Sequence, residues 1–228
     1  SLKIYADRLE GVADFETALH DMIKKTIKDH KRIIFNGNGY DDSWIKEATE
    51  KRGLCNYRTT ADCMPHILDE KNVRMLTSHK VFSEVELKSR YEIMLENYCK
   101  TVMIEACTMV DMAKKQILPA VSAYTTDLAE SVGKKLKLGT DIACKYEKEA
   151  VKKLSILCDK IAEATDLLEG TLVKIKAAES IGEESEMIRD AVLVAMSELR
   201  VACDEAETMT AEKYWPFPTY GELLFGVR

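Results

Sequence analysis

Ser83-Glu-Val-Glu-Leu-Lys-Ser-Arg-Tyr-Glu-Ile-Met-Leu-Glu-Asn-Tyr98 decides the fold. Ser83 and Glu86 stand at capping-box spacing, where each side chain satisfies the other's backbone amide at a helix start. Beyond this cap Leu87, Tyr91, Met94, Leu95 and Tyr98 keep helical spacing. Val102, Ala106, Met109, Val110, Ala113, Ile117, Val121, Tyr124, Leu128 and Val132 continue it. The run predicts a helix to about Leu138, roughly 80 Å long at the usual rise per residue. Pro119 lies inside it and predicts a kink, because proline deletes one backbone donor and crowds the preceding turn.

Working outward toward the C-terminus, Gly139-Thr140-Asp141 predicts a break before a helix over 141–179. Leu154, Ile161, Leu168 and Ile175 recur there at seven-residue spacing, with Val151, Cys158, Thr165 and Leu172 as a companion row. That pattern is a bundle or coiled-coil seam. After Ser180-Ile181-Gly182, residues 183–212 carry Met187, Ile188, Ala191, Val194, Ala195, Leu199 and Ala202 on one face. The two helices are predicted to form an antiparallel hairpin. It would bring the lysines of 145–153 near the carboxylates of 204–212; two separately solvated faces are the alternative.

Toward the N-terminus, Phe15, Leu19, Met22, Ile23 and Ile27 predict a helix over 13–31. Residues 32–40 form a strand-like run ending in the turn Asn36-Gly37-Asn38-Gly39. Asp41, Asp42 and Ser43 are capping residues for a helix over 43–52, which stops at Gly53. The fold class is therefore mainly α: short helices with one strand-like segment over 1–80, then a long-helix antiparallel bundle over 81–213.

Residues 214–228 form a third region. Tyr214, Trp215, Phe217, Tyr220 and Phe225 make it far more aromatic than the 7% of the whole chain. Chain ends are normally polar and frayed, and this one is stiffened by Pro216 and Pro218. Tyr214, Trp215, Phe217, Tyr220, Leu224 and Phe225 are the candidate interaction residues. They are expected to dock on another subunit or domain, or to cover the open end of the bundle.

Composition bounds the rest. A chain of 228 residues, 46% hydrophobic and 32% charged, buries a sizeable core. A net charge of −6 argues against a nucleic-acid partner. No apolar run approaches the ~20 residues that span a bilayer, and no secretory signal is visible, so no membrane partner is expected. Seven scattered cysteines without a C-x-x-C pair predict free thiols in a reducing cytoplasm. The missing initiator Met predicts a piece of a longer protein.

Chemistry-bearing patterns are sparse. Asn36-Gly37-Asn38-Gly39 lacks the third glycine or the Gly-Lys-Ser/Thr of a phosphate loop, and Asp41-Asp42 would repel a phosphate. It reads as a structural turn with positive φ at Gly and Asn. No Glu-x-x-His motif of a di-iron bundle occurs. Glu16/His20 and Asp62/His66 are side-chain contacts short of a metal site. Cys63 near His66 is the one Cys/His proximity that a nucleophile could use. No catalytic, cofactor-binding or metal residue is assigned.

Several strings nevertheless resemble one family. Ile33-Ile-Phe-Asn-Gly-Asn-Gly-Tyr40, then Trp44, Glu47, Ala48 and Lys51-Arg-Gly-Leu54, resemble type III glutamine synthetases. So do Leu87-Lys-Ser-Arg-Tyr-Glu-Ile93, Glu96-Asn-Tyr98, Ile117-Leu-Pro-Ala120, Asp204-Glu-Ala-Glu207, Trp215-Pro-Phe-Pro-Thr-Tyr220 and Leu223-Leu-Phe225. The resemblance implies a parent ligase that joins glutamate and ammonia through a γ-glutamyl phosphate, using ATP and Mg2+ or Mn2+. The family's catalytic motifs lie in a β-grasp domain and a barrel that precede the matching region. The chain then resembles the C-terminal portion, inactive alone, which packs on its own catalytic domain and on neighbouring subunits of a homo-oligomer. A stand-alone helical adaptor with an aromatic docking tail is the alternative.

Overall fold

The computed structural model describes residues 2–218 and 220–226, with the side chain of Tyr220 outside the description. The chain falls into two compact units, Ser1–Arg58 and Thr59–Arg228.

In the first unit, α1 (Leu2–Leu9) precedes α2 (Phe15–His30). Asp14 caps α2: its carboxylate accepts from the Thr17 amide at 3.1 Å and the Thr17 hydroxyl at 2.7 Å. Neither helix contributes a fully buried residue. A 3₁₀ turn (Lys31–Ile33) follows, then α3 (Asp42–Lys46), which widens into a π turn (Glu47–Lys51). Gly53, at φ 65°, ends it as expected of a left-handed helix stop.

The strand-like segment is not a strand, and none occurs among the described residues. A strand needs a ladder partner for its backbone groups. Here the carbonyls of Arg32 and Ile34 accept instead from Arg52 Nη1, at 2.9 and 3.0 Å.

The second unit opens with α4 (Thr60–Cys63), capped reciprocally by Thr59 and Asp62. A 3₁₀ turn (Met64–Leu68) holding Pro65, then α5 (Glu70–Ser78), lead to the long helices. The predicted capping box forms at α6 (Glu84–Met112): the Ser83 amide donates to Glu86 Oε2 at 2.7 Å, and the Glu86 amide to Ser83 Oγ at 3.3 Å. The disruption required by Pro119 takes the form of a π turn (Ala113–Ile117) just ahead of it, before α7 (Leu118–Leu138). That wide turn absorbs the register change while Ala113 and Ile117 stay buried.

The central helix is α8 (Lys145–Ile175), packed against α7 and, after a short link, against α10 (Leu193–Met209). A second π turn (Ile188–Val192) joins α9 (Ile181–Met187) to α10. Leu154, Ile161, Leu168 and Ile175 are all buried in one core with Val102, Ala106, Ile188, Val192 and Leu199. The companion row shifts. Ala150 and Leu157 are buried in the N-terminal half, whereas Val151 and Cys158 are only partly so. A helix with neighbours on both sides needs a stripe wider than a two-strand seam. Thr165 is also buried; its hydroxyl donates to the Ile161 carbonyl at 2.6 Å, so that hydroxyl is not stranded.

Charge pairing across the hairpin does not follow the expectation. Among the described residues no ion pair joins 145–153 to 204–212. Lys145 faces Glu149 at 3.8 Å, and Arg200 faces Asp204 at 3.3 Å, each one turn along its own helix. Local pairs at i, i+4 cost less side-chain entropy than reaching across a helix gap.

Candidate functional site

The Asn/Gly turn is held at its base by a stacked clamp. Phe35 and Trp44 lie face to face, with ring centroids 3.6 Å apart and planes 14° from parallel. The Arg52 guanidinium sits 4.9 Å over Trp44 and 5.9 Å from the Phe35 centroid. Glu47 fixes that guanidinium through Oε1, at 2.6 Å from Nη2 and 2.9 Å from Nε. One arginine therefore joins a carboxylate, two backbone carbonyls and an aromatic face, which its planar five-donor fork permits and a lysine would not.

Above the clamp the turn is open to solvent. Asn38 Oδ1 accepts from the Tyr40 amide at 3.1 Å. Asp41 Oδ1 accepts from the Ser43 amide at 2.9 Å and so starts α3, holding the Asp41 carboxyl below its ordinary pKa. The expected positive φ is absent from Asn36-Gly37-Asn38-Gly39; among the described residues it occurs at Gly11, Gly53 and Lys80. Gly37 serves a different need. A Cβ there would lie 2.4 Å from Phe35 Cζ, on a ring that Trp44 holds in place. Close approach, not backbone handedness, requires the glycine.

The aromatic tail divides. Tyr214 folds back onto α7, where its ring tilts against Tyr124 at a centroid distance of 5.2 Å and its hydroxyl donates to Asp127. Tyr124 in turn hydrogen-bonds Tyr146, which pushes its phenol up to about 12, with desolvation adding to the shift. Trp215 and Phe217 meet edge to face at 6.0 Å and pack on the bundle core. They help to line a cavity of about 290 Å3 with Met109, Ile117, Leu199 and Cys203. The Trp215 indole N–H is buried there and has no hydrogen-bond partner among the described residues. Beyond Pro218, α11 (Tyr220–Phe225) leaves Leu224 and Phe225 at 71% and 83% exposure. Of the six candidate tail residues, three thus contact the chain's own bundle and two face outward. The sixth, Tyr220, has its side chain outside the described residues.

Sequence reasoning missed Arg52 as an organiser, and it missed the tie between Asp62 and Arg189. Asp62 Oδ1 accepts from Arg189 Nη1 at 2.7 Å while its Oδ2 accepts from the Thr59 hydroxyl at 2.8 Å. The threonine hydroxyl first, and the arginine next, hold the Asp62 carboxyl below its usual range. The only sequence signal was Thr59 and Asp62 at capping-box spacing. Among the described residues no three His, Cys, Asp or Glu side chains stand together as a metal-ligand set.

Residues 18–136 match the family model of the glutamine synthetase C-terminal domain. The chain is 37% identical over 215 residues to a glutamine synthetase of Butyrivibrio fibrisolvens, covering 94% of this chain and 31% of that protein. It is 31% identical over 218 residues to a type-3 glutamine synthetase of Dictyostelium discoideum, covering 94% and 30%. A glutamine synthetase of Bacteroides fragilis is 28% identical over 230 residues, covering 98% and 31%. The chain spans about a third of the length of the curated relatives it matches.

Proposed function

Since the chain belongs to the glutamine synthetase C-terminal domain family, we propose that it is the structural C-terminal part of a longer ATP-dependent glutamate–ammonia ligase. In this reading the catalytic portion precedes it and supplies the sites for glutamate, ammonia, ATP and Mg2+ or Mn2+. The described residues offer no ligand set for such a metal, and no step through it is assigned to them. In the same reading the whole enzyme works in the cytoplasm.

One observation carries the docking role. Helices α1 and α2 are amphipathic yet bury nothing completely, and Phe15, Ile23 and Ile27 stand 53%, 44% and 52% exposed. An apolar face of this kind is stable in water only when covered. The proposed cover is the catalytic portion. Leu223, Leu224 and Phe225 form a second uncovered group, proposed to meet a neighbouring subunit.

The test compares the chain alone with the longer reading frame that encodes it, each assayed for glutamine from glutamate, ammonia and ATP. The expected result is turnover by the longer protein only. Turnover by residues 1–228 alone would overturn the structural reading. An upstream frame with no catalytic portion would favour the adaptor. In the longer protein, the double substitution Ile23→Asp and Ile27→Asp is expected to weaken assembly and lower turnover together.

A further inference from the structure

The docking role leaves the exposed turn Asn36-Gly37-Asn38-Gly39 without a use. Both asparagines precede glycine, the residue that least hinders backbone attack on a neighbouring side chain. The structure distinguishes them. Phe35, stacked on Trp44, closes over Gly37 to within 2.4 Å of where a Cβ would stand, whereas nothing lies within 4 Å of the equivalent position at Gly39. The Gly39 amide donates to no acceptor among the described residues. The Asn38 side-chain oxygen already accepts from the Tyr40 amide at 3.1 Å, which polarises the carbonyl carbon Cγ.

We propose that Asn38 is a site of spontaneous deamidation, a built-in chemical modification that converts the turn to aspartate and isoaspartate. The Gly39 amide gives its proton to solvent base, and its nitrogen bonds to Asn38 Cγ. The Cγ–NH2 bond then breaks, and ammonia leaves with a solvent proton. The resulting five-membered imide takes up one water, which opens one of its two carbonyl–nitrogen bonds. Opening at one carbonyl gives aspartate; opening at the other gives isoaspartate. The balance is one asparagine and one water to one acidic residue and one ammonia, with no oxidant or cofactor. Each event adds a negative charge beside Asp41 and Asp42. The isoaspartate form also inserts a methylene into the backbone, which removes the Asn38 acceptor from Tyr40.

Asn36 is slower because the clamp over Gly37 must open before its imide can close. An opening penalty of ordinary local size makes the difference about fivefold.

The test holds the full chain in neutral buffer at physiological temperature and follows the tryptic peptide 33–46, which carries both asparagines. Fragment ions locate the gain of roughly one dalton, and an isoaspartyl methyltransferase reports isoaspartate. The synthetic 33–46 peptide, without the clamp, serves as the unstructured reference. The expected result is conversion at Asn38 about fivefold ahead of Asn36 in the protein, and comparable rates at both sites in the peptide. Asn38→Gln leaves only the slow event. Gly39→Ala suppresses conversion at Asn38. Arg52→Ala, which loosens the clamp, brings Asn36 up toward Asn38. The proposal is overturned by conversion at Asn36 first. It is equally overturned by an unchanged protein over the time in which the peptide converts.

Discussion

Asp62 and Arg189 stand 127 positions apart in the chain, yet their side chains meet at 2.7 Å. The pair ties α4 to the π turn between α9 and α10. Arg189 is also held by Asp190, at 2.7 Å from Nε and 2.8 Å from Nη2. Asp62 therefore has a local task as half of a capping box and a distant one as partner to this guanidinium.

The lowered pKa of Asp62 makes that tie pH-dependent. A carboxyl whose folded value lies below its unfolded value adds stability above the unfolded value, and that stability is lost as pH falls through the folded one. Unfolding midpoints measured from neutral pH downward should fall more steeply for the native chain than for Asp62→Asn. At neutral pH Asp62→Asn should melt a few degrees lower. Parallel acid limbs would count against the pair.

The clamp is checked through Trp44 fluorescence in a Trp215→Phe background, which leaves one indole. Arg52→Ala removes a stacked cation and two carbonyl contacts, and is expected to cost the first unit about 2 kcal/mol. Emission should shift to the red and acrylamide quenching should rise. Arg52→Lys should recover little, because an ammonium cannot serve the carbonyls, Glu47 and the ring at once.

Core truncations should separate the buried row of α8 from its flank. Ile161→Ala is expected to cost roughly 2–5 kcal/mol in urea unfolding, and Val151→Ala about 1 kcal/mol or less. Equal effects would mean that the burial assigned to the two rows is wrong.

The tail is tested by ending the chain at Ala211. This strips Trp215 and Phe217 from Met109, Ile117 and Leu199, and should lower bundle stability by roughly 2–4 kcal/mol while raising binding of an apolar dye. Asp127→Asn removes the carboxylate that accepts from Tyr214 and should give a smaller loss. Unchanged stability after truncation would leave the tail no role within this chain.

Thiol titration should find two classes. Cys55, Cys63 and Cys107 are exposed and should react fast with an aromatic disulfide at neutral pH. Burial pushes the thiols of Cys99 and Cys203 up to about 11, so they carry almost no thiolate there and should react only as the chain unfolds.

What could be read in advance were interactions between near neighbours. The capping box at Ser83 and Glu86 formed, and the row Leu154, Ile161, Leu168 and Ile175 is buried throughout. Of the candidate sites, the Asn/Gly turn and the aromatic tail could be singled out by composition alone; Arg52 and Arg189 could not. An arginine's partners depend on which backbone groups happen to be left open nearby. The positive φ expected at Asn36-Gly37-Asn38-Gly39 failed for a related reason. Glycine can answer either a backbone need or a close approach, and only the position of the Phe35 ring tells which.

The sequence by itself determined that the chain is helical, where α3 and α6 start, and which row of α8 is buried, because periodicity and capping act within a turn or two. Tertiary structure alone decided that Arg52 would capture the carbonyls of a would-be strand. It also decided that Asp62 would find Arg189, and that Tyr214 would close on Asp127. Hydrophobic burial is non-directional, so an apolar face states that it must be covered without naming its cover. Contacts between distant positions form only once packing has brought their elements together.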